Sequence, residues 1–189
     1  MNYEVGTVYT YLAIKRKSRL HVQHFVGKWN EESSLEFWKN VAKRLKLPTS
    51  KYRLNICTDG NKQNISALQE ISSSCSVNYG QVHKIKIGDI VVDMVRRNIL
   101  GNMPKSEISI RHIDGYCARI RERISRYCRR AKTYSKKKTP LHYHLCIFQA
   151  YNNFIQTYTN KKTPCMIEGI VSRIWDWNDF FRYYYQSSQ

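Results

Sequence analysis

Two aspartates, set in unlike surroundings, are the residues of this chain best suited to chemistry. Asp59 follows a short apolar run, Arg53 to Cys57, in the turn Thr58-Asp59-Gly60. Open α/β sheets expose their functional groups at such strand ends. Asp114 lies near the start of a stretch, Ile108 to Lys138, that carries the densest positive charge of the chain. Two carboxylates brought together inside a basic surface can hold divalent cations for phosphodiester chemistry. The metals bridge the attacking and leaving oxygens while arginines hold the strand. Each acid also has a plainer role open to it: an Asx turn before glycine for Asp59, and compensation of a helix dipole for Asp114.

The stretch 108–138 reads mostly as one helix. Ile113, Cys117, Ile120, Ile124, Tyr127, Cys128 and Ala131 recur at the spacing that lines one face of a 3.6-residue helix. At 100° per residue, Asp114, Arg121 and Ser125 fall on one flank of that stripe, and Arg119, Arg123, Arg126 and Arg130 on the other. Glu122 is the only acid between Arg119 and the run Lys136, Lys137 and Lys138. A solvated charged back is the ordinary reading of such a helix. Self-repulsion on this scale instead favours a polyphosphate as counter-charge.

A formal net charge of +18 over 189 residues extends this reading to the whole chain. Nucleic acid is the first partner it suggests, an anionic membrane the second. Hydrophobic residues at 42% and aromatics at 13% place the sequence among folded domains despite a mean hydropathy of −0.59. One domain spanning 1–189 is expected. No apolar run approaches the ~20 residues that span a bilayer. The first residues have no basic stretch ahead of their apolar part, so a cytoplasmic protein is expected. The six cysteines include no C-x-x-C pair, which points to reduced thiols rather than a zinc site. His142 and His144 read as packing or surface residues.

The remaining elements follow from local pattern. Val8 to Ile14 and Leu20 to Val26 flank the polar turn Lys15 to Arg19 and read as a hairpin. Asn30 can cap a helix carrying Leu35, Trp38, Val41, Ala42 and Leu45 that Pro48 stops. After the strand ending at Asp59 come a short helix with Ile65, Leu68 and Ile71, a Ser-rich loop over 72–76, and strands at Tyr79 to Ile87 and Ile90 to Val95 around Gly88-Asp89. A long helix starts at Pro140 and runs through Tyr158, Pro164 begins a short segment ending near Gly169, and the aromatics of Trp175-Asp176-Trp177 dock on the body. The order is that of an α/β fold with a mixed sheet, flanking helices and a long helical C-terminal half.

These segments, taken in order, carry a resemblance. Val8-Tyr9-Thr10-Tyr11-Leu12-Ala13-Ile14, the basic turn closing at Arg19, Phe25-Val26-Gly27-Lys28 and Thr58-Asp59-Gly60 look like the insertion-sequence transposases with a DDE acidic triad, in particular the group named after the first insertion sequence described. Ile113-Asp114 stands where that family has Ile-Glu, Ile120-Arg121 fits its Leu-Arg step, Arg126 and Arg129 match its arginines, and Tyr134-Ser135-Lys136 resembles its Phe-Ser-Lys. Tyr151-Asn152-Asn153-Phe154 and Thr163-Pro164-Cys165-Met166 are similar to segments near the C-terminus of some members.

The resemblance implies the C-terminal part of a DDE catalytic domain: an RNase H-like fold and DNA transposition by Mg²⁺-dependent phosphodiester hydrolysis and strand transfer at element ends and target DNA. By it Asp59 and Asp114 are the second and third acids and ligands of a two-Mg²⁺ site. Arg119, Arg121, Arg123, Arg126, Arg130, Lys136, Lys137 and Lys138 are its DNA-binding residues. The third acid is aspartate where the family has glutamate, which shortens its reach by one methylene. The family's first aspartate, and the central strand that bears it, have no counterpart from Met1 onwards. An upstream segment or a second copy in a homo-oligomer is expected to fill that place, the chain being inactive alone. A non-catalytic basic DNA-binding remnant is the alternative.

Overall fold

A computed structural model of the chain describes residues 8–45, 53–71, 77–128, 135 and 137–187. It is α/β and divides into two compact units. One comprises Met1–Tyr11 and Gln23–Ala118, the other Leu12–Val22 and Arg119–Gln189.

The first unit is built on a three-stranded mixed sheet. Strand β3 (Leu54–Asp59) pairs in parallel with β4 (Val77–Ile87), in the register Ile56↔Tyr79 to Asp59↔Val82. Strand β5 (Ile90–Leu100) returns antiparallel to β4 through Gly88, whose φ of 61° suits the tight turn. Both β4 and β5 are longer than their apolar patterns suggest. Helix α1 (Glu31–Leu45) starts at Asn30, whose Oδ1 accepts from the Ser33 amide at 3.0 Å, as its sequence indicates. Glu31 and Glu32 in its first turn and Lys43 and Arg44 in its last complement the helix dipole. Its Trp38 indole donates to Asn64 Oδ1 of α2 (Gln63–Ile71) at 2.9 Å. On the other face of the sheet, Val82, Met103, Ile108 and Ile110 form a core joined by Cys57 and Ile113. Gly80 is required there, because a Cβ would lie 2.8–3.0 Å from the Ile108 side chain.

Strands β1 (Tyr9–Ile14) and β2 (His21–Gly27) form the expected hairpin, closed by Lys15 N–H donating to the Leu20 carbonyl at 2.8 Å. They make a sheet of their own: among the described residues β1–β2 is not hydrogen-bonded to β3–β4–β5.

The long helix expected over 108–138 is a correction. Helix α3 spans only Arg111–Arg123; Ile124 is extended (φ −117°, ψ 99°) and a single 3₁₀ turn follows at Ser125–Tyr127. Crowded like charges at Arg119, Arg121 and Arg123 oppose continuation, and the Cys128 thiol takes the Arg121 carbonyl that another turn would have used. The stripe is nonetheless inward, with Ile120 and Ile124 buried.

In the second unit, α4 (Lys138–Ala150) buries Leu141, Leu145 and Phe148 and widens into one π-helical turn, Tyr151–Ile155. That turn carries the Asn153 carboxamide to the hairpin. Its Oδ1 accepts from the His21 amide at 2.8 Å and its Nδ2 donates to the His21 carbonyl at 2.9 Å. Lys15 pairs with Glu168, just past α5 (Pro164–Ile167). Helix α6 (Trp177–Ser187) starts with reciprocal bonds between Asp176 and Asp179, both 2.9 Å, and Trp175 packs on Phe154 at 4.8 Å. The C-terminal aromatics do dock, as the sequence suggests. The Ser-rich loop, Pro48 and Cys75 lie outside the described residues.

Candidate functional site

Alternation along β3 decides where Asp59 points. Leu54, Ile56 and Thr58 share one face of the sheet, and Asn55, Cys57 and Asp59 the other. The second face looks at the segment from Met103 to Glu107: Asn55 Nδ2 donates to Glu107 Oε2 at 3.1 Å and Cys57 Sγ lies 3.7 Å from Met103 Sδ. Asp59, exposed at the C-terminal end of its strand, is opposite Val82 in the register with β4. Two residues further along β4, on the same face, is Lys84. Its Nζ donates to Asp114 Oδ2 at 2.7 Å. Asp114 itself sits in the first turn of α3, its amide bonded to the Ile110 carbonyl at 2.9 Å. Both acids therefore belong to one face of the sheet, with the Lys84 ammonium against the second of them.

A buried polar network stands on the opposite face, directly behind Asp59. The Thr58 hydroxyl donates to the Asp59 carbonyl at 2.7 Å and lies 2.8 Å from the Tyr79 hydroxyl. Gln81 Nε2 donates to Tyr79 Oη at 2.7 Å and to the Asn61 carbonyl at 2.9 Å, and Gln81 Oε1 meets His83 Nε2 at 3.1 Å. Gly60 leaves the room that the His83 ring fills, since a Cβ would lie 2.5 Å from its Nδ1. Burial pushes the Tyr79 phenol up to about 12, and the nearby Asp59 charge adds to the rise. Burial first, then the neighbouring Tyr9 phenol and the Asp59 charge, raise Tyr11. Neither Lys84 nor this network stands out in the sequence as part of a site, because both depend on the β3–β4 register.

The basic residues divide into two groups. The Arg119 guanidinium lies 4.7 Å from the centroid of the Tyr158 ring and bonds its hydroxyl. Arg123 donates to Tyr151 Oη at 3.0 Å and Gln156 Oε1 at 3.3 Å, with its guanidinium carbon 5.5 Å from the Tyr151 centroid. Burial raises the Tyr158 phenol, and the Arg119 and Arg123 charges oppose that rise. These two arginines thus fasten the end of α3 to the segment that follows α4. Arg121 is half-buried, whereas Arg126, Lys137 and Lys138 are exposed. Arg129, Arg130 and Lys136 lie outside the described residues. His142 is exposed beside Cys146, with 3.5 Å between Nε2 and Sγ, and His144 Nδ1 is 2.7 Å from the Pro140 carbonyl.

Carboxylate oxygens are the donors Mg²⁺ takes, and Asp59 and Asp114 offer them on one face. The set does not fit two cations as it is folded, because an ammonium already sits on Asp114 and a two-ion clamp needs bridging carboxylates. No helix among the described residues is long and apolar enough to cross a membrane. No family model, no curated protein and no solved structure matches this chain.

Proposed function

We propose that this chain is a DNA-binding part of a DDE-type transposase core, with Asp59 and Asp114 as two of its three acids. The observation that carries the reading is the placement of both carboxylates on one face of the β3–β4 parallel pair, Asp59 at the C-terminal strand end and Asp114 opening a helix. Among the described residues the β1–β2 hairpin and the β3–β4–β5 sheet are separate, and an RNase H-like sheet with its central strand not in place between them would have this pairing. On this reading Arg126, Lys137 and Lys138 lie along the DNA backbone, and Lys84 holds Asp114 until a phosphate or a cation displaces it.

A second reading, a non-catalytic DNA binder, is favoured by the Lys84–Asp114 pair itself, since it leaves Asp114 stable without a metal. Two measurements on the full chain separate the readings. The first is duplex-DNA affinity as a function of salt, and the second is nicking of supercoiled plasmid with and without Mg²⁺. Both readings require affinity that falls steeply with salt. Mg²⁺-dependent nicking that disappears in Asp59→Asn and Asp114→Asn supports the transposase core. Binding without nicking by the chain alone agrees with both readings, and tighter Mg²⁺ binding by wild type than by the Asp59→Asn/Asp114→Asn variant then favours the first. Nicking that survives the double substitution removes the acidic site, and absence of DNA binding removes both.

A further inference from the structure

Past Lys84, the outer part of the β4–β5 ribbon has no role in the site described above. Beyond Asp59↔Val82, strand β3 no longer accompanies β4, and past Lys84 the two remaining strands continue with residues 85–94 exposed on both faces. Ile87 and Ile90 are each 72% exposed, Val92 52% and Met94 44%. A two-stranded ribbon by itself is marginal in water, and an apolar edge strand is a template for further pairing.

Strand β5 is the outer strand of the sheet order β3-β4-β5. The two-residue turn makes Ile87 and Ile90 a hydrogen-bonded pair, and the bulge between Ile85 and Lys86 shifts the count by one. The amides of Met94, Arg96 and Asn98 then point away from β4. The Met94 amide agrees with this count, because it donates to Asp93 Oδ1 at 2.7 Å. Asp93, Val95 and Arg97 lie on one face of the ribbon, opposite Ile85, His83 and Gln81 in turn. An acid and a base four residues apart about a central valine are complementary to themselves under a two-fold axis.

We propose that β5 pairs antiparallel with β5 of a second copy of this chain, centred on Val95. In that register Met94 and Arg96 exchange backbone hydrogen bonds with Arg96 and Met94 of the other copy. Asp93 leaves its own edge amide to face Arg97 of the other copy, twice over. The two sheets join as one of six strands, and a closed two-fold contact of this kind needs no third copy. A second copy suits this edge because Asp93 and Arg97 are the pair that the axis brings together, and Lys84, Lys86 and Arg96 leave the rest of the ribbon basic. The inference stands independently of the transposase reading.

Sedimentation velocity on the full chain, at roughly 1–100 µM and moderate salt, tests it. Wild type is expected to pass from monomer to dimer over that range. Asp93→Arg and Arg97→Asp each place like charges across the axis at two positions, so the dimer dissociation constant rises about tenfold or more. The double variant Asp93→Arg/Arg97→Asp restores both ion pairs and returns the dimer. All three variants are expected to keep the wild-type melting midpoint at about 1 µM, where the wild type is itself monomeric, which separates lost pairing from lost folding. A wild type that stays monomeric throughout, single variants that dimerise like wild type, or a double variant no better than the singles would each overturn the proposal.

Discussion

Replacing Asn153 with alanine tests how the second unit holds its hairpin. The Asn153 carboxamide acts as a one-residue strand, bonded to both the amide and the carbonyl of His21, and it is only 6% exposed. After truncation the His21 carbonyl keeps Gln149 Nε2 at 2.8 Å and Asn152 Nδ2 keeps the Arg19 carbonyl at 3.3 Å, so the larger loss is the bond from the His21 amide. Loss of a buried N–H bond costs about 1–3 kcal/mol and the two other lost bonds, whose partners keep a second contact, about 1 more together, giving a destabilisation of about 2–4 kcal/mol. Urea unfolding of the full chain followed by circular dichroism measures it as a lower midpoint at unchanged slope. Asn153→Asp sharpens the test. It keeps the acceptor for the amide but turns a carboxylate oxygen on the His21 carbonyl, so its folded-state pKa rises above the unfolded value of about 3.9. The folded state then binds more protons than the unfolded one, and stability falls as pH rises from about 4 towards 7. A flat profile for Asn153→Asp, or an alanine variant within 0.5 kcal/mol of wild type on the ordinary surface-substitution scale of about ±0.5, refutes the reasoning.

Three further outcomes follow from the same geometry. Lys84→Met removes a pair between groups 30% and 47% exposed, so stability changes by less than about 1 kcal/mol. Mg²⁺ affinity by calorimetry should increase in that variant, and equal affinity in the two proteins would mean that Lys84 does not block Asp114. Tyr79→Phe deletes a hydroxyl bonded to Thr58 and Gln81, at a cost of about 1–2 kcal/mol because Gln81 keeps the Asn61 carbonyl. Tyr79 also ionises only at about 12 when folded, so wild type loses stability as pH climbs above 10 and the variant lacks that component, which thermal melts at pH 9 to 11 will show. Finally, Arg126→Ala should weaken DNA binding and flatten its salt slope by about one counterion. Arg119→Ala should instead lower the melting temperature, because its guanidinium rests on Tyr158.

Elements whose ends are set locally were legible in the sequence. Asn30 marks the start of α1, the polar run after Ile14 marks the hairpin turn, and the run ahead of Thr58-Asp59-Gly60 marks β3. The break in α3 was not legible for a definite reason. Apolar spacing records which residues face inward, and Ile120 and Ile124 do so on both sides of the break. It says nothing about the hydrogen bonds along the axis, which stop when the Cys128 thiol takes the Arg121 carbonyl. Charge counting fails in a related way at Arg119 and Arg123. Both read as free cations until Tyr158 and Tyr151, many residues away, are folded against them. The inner ends of the ribbon, Val77 and Asn78 of β4 and Arg96 to Leu100 of β5, were missed because the serine-rich run before Val77 and the polar Arg96-Arg97-Asn98 interrupt the apolar pattern there.

The acidic site rests on a quantity the sequence does not contain, the register of β4 against β3. Asp59 could be singled out as an acid at a strand end, but its relation to Asp114 passes through Lys84, and Lys84 shares Asp59's face only because Asp59 is opposite Val82. A slip of one residue would turn Lys84 to the face of Thr58 and send Tyr79 to the face of Cys57. Two features oppose that slip from opposite sides of the sheet. Ile108, fully buried, fits against Gly80 where a Cβ would collide. Thr58, Tyr79 and Gln81 close a polar network that a slipped strand would leave buried and unbonded. The residues that position the two acids are thus a glycine and a tyrosine whose side chains carry no chemistry of their own.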